Sequence, residues 1–192
     1  MRNRRLFLLV IPFTLALALL IVGAFLWYGS RAPHLEAHFS LNHRGENWSF
    51  DENAKKLNLV YVGYVKCPDV CPMSLSYAAQ AFHKISKDQL KNTQLIFISV
   101  DTAHDTPASV ADYAVQFYPS FVGLTGSQIK VDEAVRSMGA SYMVEKDPKS
   151  YLGYSIAHSD RIFFLDKKGI VIDSLANPRS EESVTKKIKD LL

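Results

Sequence analysis

The chain has 192 residues, of which 48% are hydrophobic and 21% are charged, and its formal net charge is +3 at pH 7. Since Arg2, Arg4 and Arg5 supply this excess, the remaining chain is neutral, which excludes the basic surface of a nucleic-acid-binding protein. About 160 residues follow the first apolar run, which is enough for one domain with a single hydrophobic core.

The first apolar run extends from Leu6 to Tyr28 without a charged residue. A helix of this length spans about 30 Å of hydrocarbon, whereas the apolar region of a cleavable signal peptide is usually about 7 to 15 residues long. We therefore predict an uncleaved transmembrane anchor over residues 6–28, with residues 1–5 in the cytoplasm because of their arginines. Since no Ser-rich transit peptide precedes the run, we expect a single-pass protein of a bacterial inner membrane that faces the periplasm.

A short polar tether is predicted over residues 29–38, followed by one domain over residues 39–192. Three histidines near this boundary lack a recognisable frame of metal ligands, and we interpret them as ordinary solvated side chains: His34, His38 and His43. Residues 39–42 and 48–50 predict a hairpin. The next apolar run, residues 57–62, predicts a buried strand.

The only two cysteines lie between this strand and a predicted helix that starts near Met73. Each is followed by proline, which favours extended geometry, so we expect Cys67 and Cys71 in a loop with Pro72 as the first helical residue. The helix N-terminus and the charge of Lys66 are both expected to lower a thiol pKa. The spacing is compatible with a structural disulfide, a redox disulfide or two thiolates on one metal.

The rest of the chain alternates apolar strands with capped helices. Strands are predicted at residues 94–100, 121–124, 140–144, 161–165 and 170–175, and helices at 107–117, 127–138 and 180–192. Two parallel units followed by a hairpin and a helix are typical of a thioredoxin-like α/β fold, in which a central mixed sheet is flanked by helices. The cysteine turn lies where such folds carry their thiols.

Four separated segments give the sequence a specific resemblance. They are GYVKCPDVCP from Gly63, ISVDTAHDTP from Ile98, PSFVGLTGS from Pro119 and HSDRIFFLDKKG from His158. Together they resemble the Sco/SenC family, and the similarity extends from about Phe39 to Leu192. The resemblance implies a membrane-anchored, thioredoxin-like copper chaperone, not an enzyme, that serves the dinuclear copper centre in subunit II of cytochrome c oxidase.

The copper ligands of that family are the two cysteines of its CPxxCP turn and one distant histidine. By motif these correspond to Cys67, Cys71 and His158, and the two cysteines are also the implied redox disulfide. Soft thiolates suit Cu(I), and an added imidazole allows Cu(II) to be held as well. A periplasmic copper carrier or thiol reductase would be a further partner, and we expect a monomer.

Several positions depart from the family's usual residues. Ala157 stands where an aspartate often precedes the histidine, Thr102 and His104 replace a proline and an arginine, and Lys66 occupies a position that is often threonine, serine or histidine. None of these changes removes a predicted ligand. Asp101 is a candidate for orienting the site from the neighbouring strand, although a turn-forming role is the commoner one for such an aspartate.

Other functions are open on the sequence alone. A periplasmic thiol-disulfide oxidoreductase that keeps the oxidase cysteines reduced would use Cys67 and Cys71 and would not need His158. A peroxiredoxin-like peroxidase is disfavoured because no threonine lies just before Cys67, and a closed zinc site usually needs four protein ligands. An interaction module with a structural disulfide is the remaining alternative.

Overall fold

The structure is a computed structural model that describes residues 19–24 and 35–192. The chain divides into two compact units, Met1–His34 and Leu35–Leu192, and residues 19–24 of the first are helical. In the ranges described, no helix combines the length and the apolar character needed to cross a membrane. The rest of the anchor predicted over residues 6–28, the N-terminal segment 1–5 and most of the tether lie outside the described residues.

The second unit is built from short strands and helices whose bounds mostly match the sequence predictions. The strands are β1 (Ser40–His43), β2 (Glu46–Ser49), β3 (Leu57–Gly63), β4 (Thr93–Ser99), β5 (Val122–Leu124), β6 (Tyr142–Lys146), β7 (Tyr154–His158), β8 (Arg161–Asp166) and β9 (Val171–Ala176). The helices are α1 (Phe50–Asn53), α2 (Val70–Lys84), α3 (Lys87–Asn92), α4 (Pro107–Phe117), α5 (Gln128–Ser137) and α6 (Glu181–Leu191).

A five-stranded sheet with the order β5-β4-β3-β8-β9 forms the centre of this unit. Strands β3, β4 and β5 are parallel, whereas β8 and β9 run antiparallel to their neighbours, which confirms the predicted mixed sheet and the α/β class. Every residue of β3 and β4 is buried. A parallel strand covered on both faces is mostly apolar, and this is why the two runs were recognisable in the sequence although β3 contains Asn58 and β4 contains Gln94.

The second compact unit begins at Leu35, four residues before Phe39, at which the sequence predicts the start of the domain. Ala37, placed in the tether by the sequence, is fully buried, and its N–H donates to the Gly169 carbonyl at 2.8 Å. Of the neighbouring histidines, His38 contacts Asp51, while Nδ1 of His43 lies 2.9 Å from the carbonyl oxygen of Gly123. These two histidines therefore form no common site.

The hairpin of β6 and β7 packs outside the central sheet and was only half predicted. Its first strand lies at Tyr142–Lys146, two residues further along than predicted, and its second strand was missed. In the antiparallel register Tyr142 lies opposite His158. The strand signal was present, because Tyr154 and Ile156 alternate with small residues, but the segment is short and ends in a polar histidine.

The helix starts show where local signals were sufficient and where they were not. The side chains of Thr106 and Ser180 cap α4 and α6 as predicted, and α4 begins at Pro107. In contrast, α2 begins at Val70, so Cys71 lies within its first turn and not in the preceding loop. A proline is tolerated anywhere in the first turn because the N–H groups there have no partner within the helix.

Candidate metal centre

Three elements bring the predicted ligands together. Cys67 lies in the loop after β3, Cys71 in the first turn of α2 and His158 at the end of β7. The two sulfurs and one ring nitrogen all lie within 4.8 Å of one another, and Cys71 Sγ is 3.2 Å from Nε2 of His158. Both cysteines are free thiols in this structure. The sequence therefore named a set of residues that the fold assembles at one point.

The two thiols have different surroundings and different acidities. Hydrogen bonding from Cys71 lowers the pKa of Cys67 to about 4, with further contributions from His158 and from the backbone around Asp69, and burial opposes this shift only in part. Burial raises the pKa of Cys71, which is 0% exposed and keeps its proton to donate to Cys67. Since Lys66 is exposed, solvent screens the charge that the sequence had suggested as a cause.

This asymmetry predicts selective chemistry at Cys67. We expect iodoacetamide to modify Cys67 before Cys71, and at nearly the same rate at about pH 5.5 as at about pH 7.5, because the Cys67 thiolate persists until the pH falls towards about 4. Peptide mass spectrometry after short pulses on the reduced protein measures both rates. Glutathione in the same solution is the control, and a Cys67 profile that followed glutathione would show that its pKa is not lowered.

Close packing at the end of β3 leaves no space for a side chain beside Cys71. A Cβ atom placed on Gly63 would lie 2.6 Å from Cys71 Sγ and 3.1 Å from Cε2 of Phe97. Gly63 is therefore a functional residue that sequence reasoning did not single out. Its position immediately before the cysteine turn was the available signal.

The imidazole of His158 is held mainly by aromatic rings. Tyr61 and Tyr64 meet it edge-on, with ring centroids 6.0 and 6.2 Å away and nearly perpendicular planes. Nδ1 of His158 is buried and has no hydrogen-bond partner among the described residues. Ala157 is exposed. Since successive residues of a strand face opposite sides, a carboxylate at position 157 would project from the face of β7 opposite to that of His158.

The Asp160 carboxylate, which was not predicted as a site residue, holds Tyr61 in place beside His158. Asp160 accepts hydrogen bonds from Tyr61 at 2.9 Å and from Ser74 at 3.0 Å, and it pairs with Arg179. Burial raises the pKa of Tyr61, so its hydroxyl stays protonated as the donor to Asp160. Tyr61 is thereby fixed against the ring of His158.

The loop between β4 and α4 approaches the site from another side. Asp105 accepts hydrogen bonds from Val65 N at 2.8 Å and from Ser99 Oγ at 2.5 Å. Asp101, which the sequence named as an orienting candidate, contacts His104 and Tyr154. Burial raises the pKa of Asp105. Both aspartates are nearly inaccessible to solvent, with exposures of 5% for Asp101 and 6% for Asp105.

The donor set determines what the site can hold. Two sulfurs and one imidazole nitrogen are ligands for soft and borderline transition metals, and the lowered pKa of Cys67 supplies a thiolate without a strong base. Three donors are fewer than the four of a closed structural zinc site. The arrangement therefore leaves a coordination position for an incoming ligand.

Comparison with known proteins gives the same relationship in sequence and in structure. Residues 29–192 match the SCO1/SenC family model. Protein SCO2, mitochondrial, of Saccharomyces cerevisiae is 32% identical over 165 residues, which cover 85% of this chain and 54% of that protein. The bovine SCO2 homolog is 31% identical over 150 residues, which cover 78% of this chain and 56% of that protein. The chain thus spans about half the length of the curated relatives it matches.

A solved structure of similar shape is Arabidopsis thaliana ScoI with copper bound. Its TM-score is 0.75 at 27% identity, and the match covers 82% of this chain and 97% of that one. Since the family model covers all of the described domain and the sheet, cysteine turn and histidine strand are all present, the chain belongs to the SCO1/SenC family.

Proposed function

We propose that this protein is a copper metallochaperone that binds one copper ion through Cys67, Cys71 and His158 and delivers it to the dinuclear copper centre of cytochrome c oxidase subunit II. The observation that carries the proposal is the convergence of two sulfurs and one imidazole nitrogen within 4.8 Å. A related structure, Arabidopsis ScoI, has copper bound. Copper is cargo in this proposal, and the protein is not an enzyme.

Each donor has a distinct part in holding and releasing the metal. Two thiolates satisfy Cu(I), whereas Cu(II) also needs the harder imidazole nitrogen of His158. Cys67 is the more accessible sulfur, so an acceptor thiolate would displace the metal from that side, while the buried Cys71 would release it last. Oxidation of the pair to a disulfide would remove both sulfur ligands and end binding.

The proposed setting follows from the N-terminal sequence. Residues 6–28 would anchor the chain by a single span in a bacterial inner membrane, with residues 1–5 in the cytoplasm and the copper domain in the periplasm. A periplasmic copper carrier or thiol reductase would load or reduce the site. The arginines before the apolar run and the absence of charge within it support this arrangement.

A second function is favoured by the asymmetry of the cysteines. The Cys67 thiolate would attack a client disulfide, form a mixed disulfide and release one client thiolate. Cys71 would then give its proton to that thiolate and attack Cys67 Sγ, which breaks the mixed disulfide and releases the second client sulfur as a thiolate. The two electrons pass to the client, and the protein ends with a Cys67–Cys71 disulfide that a thiol reductase must reduce again. This activity needs no histidine.

A copper titration of the reduced full chain, with His158→Ala beside it, separates the two functions. We expect one Cu(I) per wild-type chain and none after oxidation. Cu(II) affinity in His158→Ala should fall by more than about 100-fold, since the loss of a ligand exceeds the effect of losing a contact outside the ligands. Oxidase assembly should fail in His158→Ala while reduction of a model disulfide persists. If His158→Ala supported assembly fully, the oxidoreductase function would replace the chaperone.

A further inference from the structure

We propose that the loop between β4 and α4 positions His158 indirectly. Asp101 and His104 of this loop fix Tyr154, and this contact takes the role that a direct hydrogen bond to the imidazole ring usually has. The inference rests on the proposed function, because it concerns how the imidazole is presented to copper. It assigns Tyr154 and Asp101 as positioning residues.

The ring of His158 lacks the support that metal-binding histidines usually have. Such a histidine normally donates its second ring N–H to a carboxylate, a carbonyl or water, which fixes the ring and its tautomer. Here Nδ1 is buried and unpartnered among the described residues, and Ala157 supplies no carboxylate. The edge contacts of Tyr61 and Tyr64 limit the tilt of the ring but make no hydrogen bond to it.

The position of the ring therefore depends on the position of β7, which Tyr154 anchors. Tyr154 and His158 are four residues apart on the same face of this strand. The Tyr154 hydroxyl donates to Asp101 Oδ2 at 2.5 Å and lies 3.1 Å from His104 Nδ1. The Tyr154 ring also stacks on His104, with centroids 4.9 Å apart and planes 15° from parallel.

Asp101 is well suited to hold this anchor. It is 5% exposed, and its second oxygen, Oδ1, lies 2.7 Å from His104 Nδ1. A hydrogen bond to a buried carboxylate is stronger than one between neutral groups in water. His104, which departs from the residue common in the family, is therefore part of the anchor.

The same loop also fixes the segment that leads to Cys67. Asp105, four residues after Asp101, accepts the Val65 N–H at 2.8 Å, and Val65 lies two residues before Cys67. One loop thus connects the histidine strand to the cysteine turn. We infer that this loop sets the distance between the imidazole and the thiolates. Binding of Cu(II) depends on this distance because Cu(II) needs the imidazole as well, whereas Cu(I) is held by the two sulfurs alone.

The test is a comparison of Tyr154→Phe and Asp101→Asn with the wild-type chain and with Tyr151→Phe as the matched control. Tyr151→Phe removes a hydroxyl from the same hairpin, but that hydroxyl is exposed and donates only to the Lys66 carbonyl at 3.2 Å. Cu(I) and Cu(II) affinities are measured separately. Electron paramagnetic resonance of the Cu(II) form reports nitrogen ligation through its superhyperfine splitting. If Tyr154 and Asp101 only stabilised the fold, their replacement would leave this splitting unchanged.

We expect Tyr154→Phe and Asp101→Asn to weaken Cu(II) binding by about 10- to 100-fold, the usual cost of losing a contact outside the ligands themselves, and to diminish the nitrogen splitting. Cu(I) affinity and the Tyr151→Phe control should match the wild type. Unchanged Cu(II) affinity and splitting in Tyr154→Phe, or an equal loss of Cu(I) and Cu(II), would overturn the inference. A wild-type chain that bound no copper would instead overturn the proposed function.

Discussion

Replacement of Cys67 or Cys71 by serine is expected to abolish tight Cu(I) binding. A hydroxyl is a hard, protonated group that does not replace a thiolate for a soft ion, and one remaining sulfur with His158 cannot compensate. We expect affinity to fall by more than about 100-fold, beyond the range seen for contacts outside the ligands. Competition with a chelator of known Cu(I) affinity measures the loss.

The two serine variants should differ in stability although they agree in copper binding. Cys71 is 0% exposed, so its hydroxyl replacement is desolvated and costs about 1–3 kcal/mol unless it is fully hydrogen-bonded. Cys67 is only partly buried, and its replacement should leave the free energy of unfolding nearly unchanged. Urea unfolding of the metal-free proteins separates the two.

Met73→Leu is the control for both serine variants. It removes a sulfur two residues after Cys71 in α2 that the proposal does not use as a ligand, and volume-conserving apolar changes are well tolerated. Wild-type affinity is expected for Met73→Leu. Retention of tight Cu(I) binding by either serine variant would remove that cysteine from the site.

Gly63→Ala is expected to damage both the fold and the site. The new methyl group would lie 2.6 Å from Cys71 Sγ and 3.1 Å from the Phe97 ring, closer than packed carbon and sulfur atoms approach. Since Cys71 is fixed in the first turn of α2, either its sulfur has to shift from the position that it shares with His158 or the strand has to move. Overpacking of this kind costs about 1–3 kcal/mol.

The cause of this loss can be isolated with a double-mutant cycle. We expect Cys71→Ser, whose oxygen is smaller than sulfur, to relieve part of the clash, so the two changes together should cost less stability than their sum. Gly126→Ala is the matched control, because its methyl group would meet only the end of the Leu41 side chain at 3.3 Å. Strict additivity of Gly63→Ala and Cys71→Ser would show that the sulfur is not what the methyl group strikes.

Much of the fold was predictable because its signals are local. The apolar runs of β3 and β4 reflect strands that are buried on both faces, and Thr106 with Pro107 marks the start of α4 by hydrogen bonding within one turn. The ligands were predicted through the resemblance to the family. The family match confirms the membership of the chain, and the ligand assignment stays a prediction. The membrane anchor over residues 6–28 stays a prediction.

What the sequence by itself determined was the position of the main strands and helices, the α/β class and the residue types of a soft-metal site. Only the tertiary structure decided how the imidazole is held. Tyr61 reaches Asp160 across 99 positions of the chain, and Tyr154 reaches Asp101 across 53. Such contacts depend on strand register and on the packing of distant segments, which no local preference specifies. The lack of space for a side chain at position 63 likewise arises from the helix, which places Cys71 against Gly63.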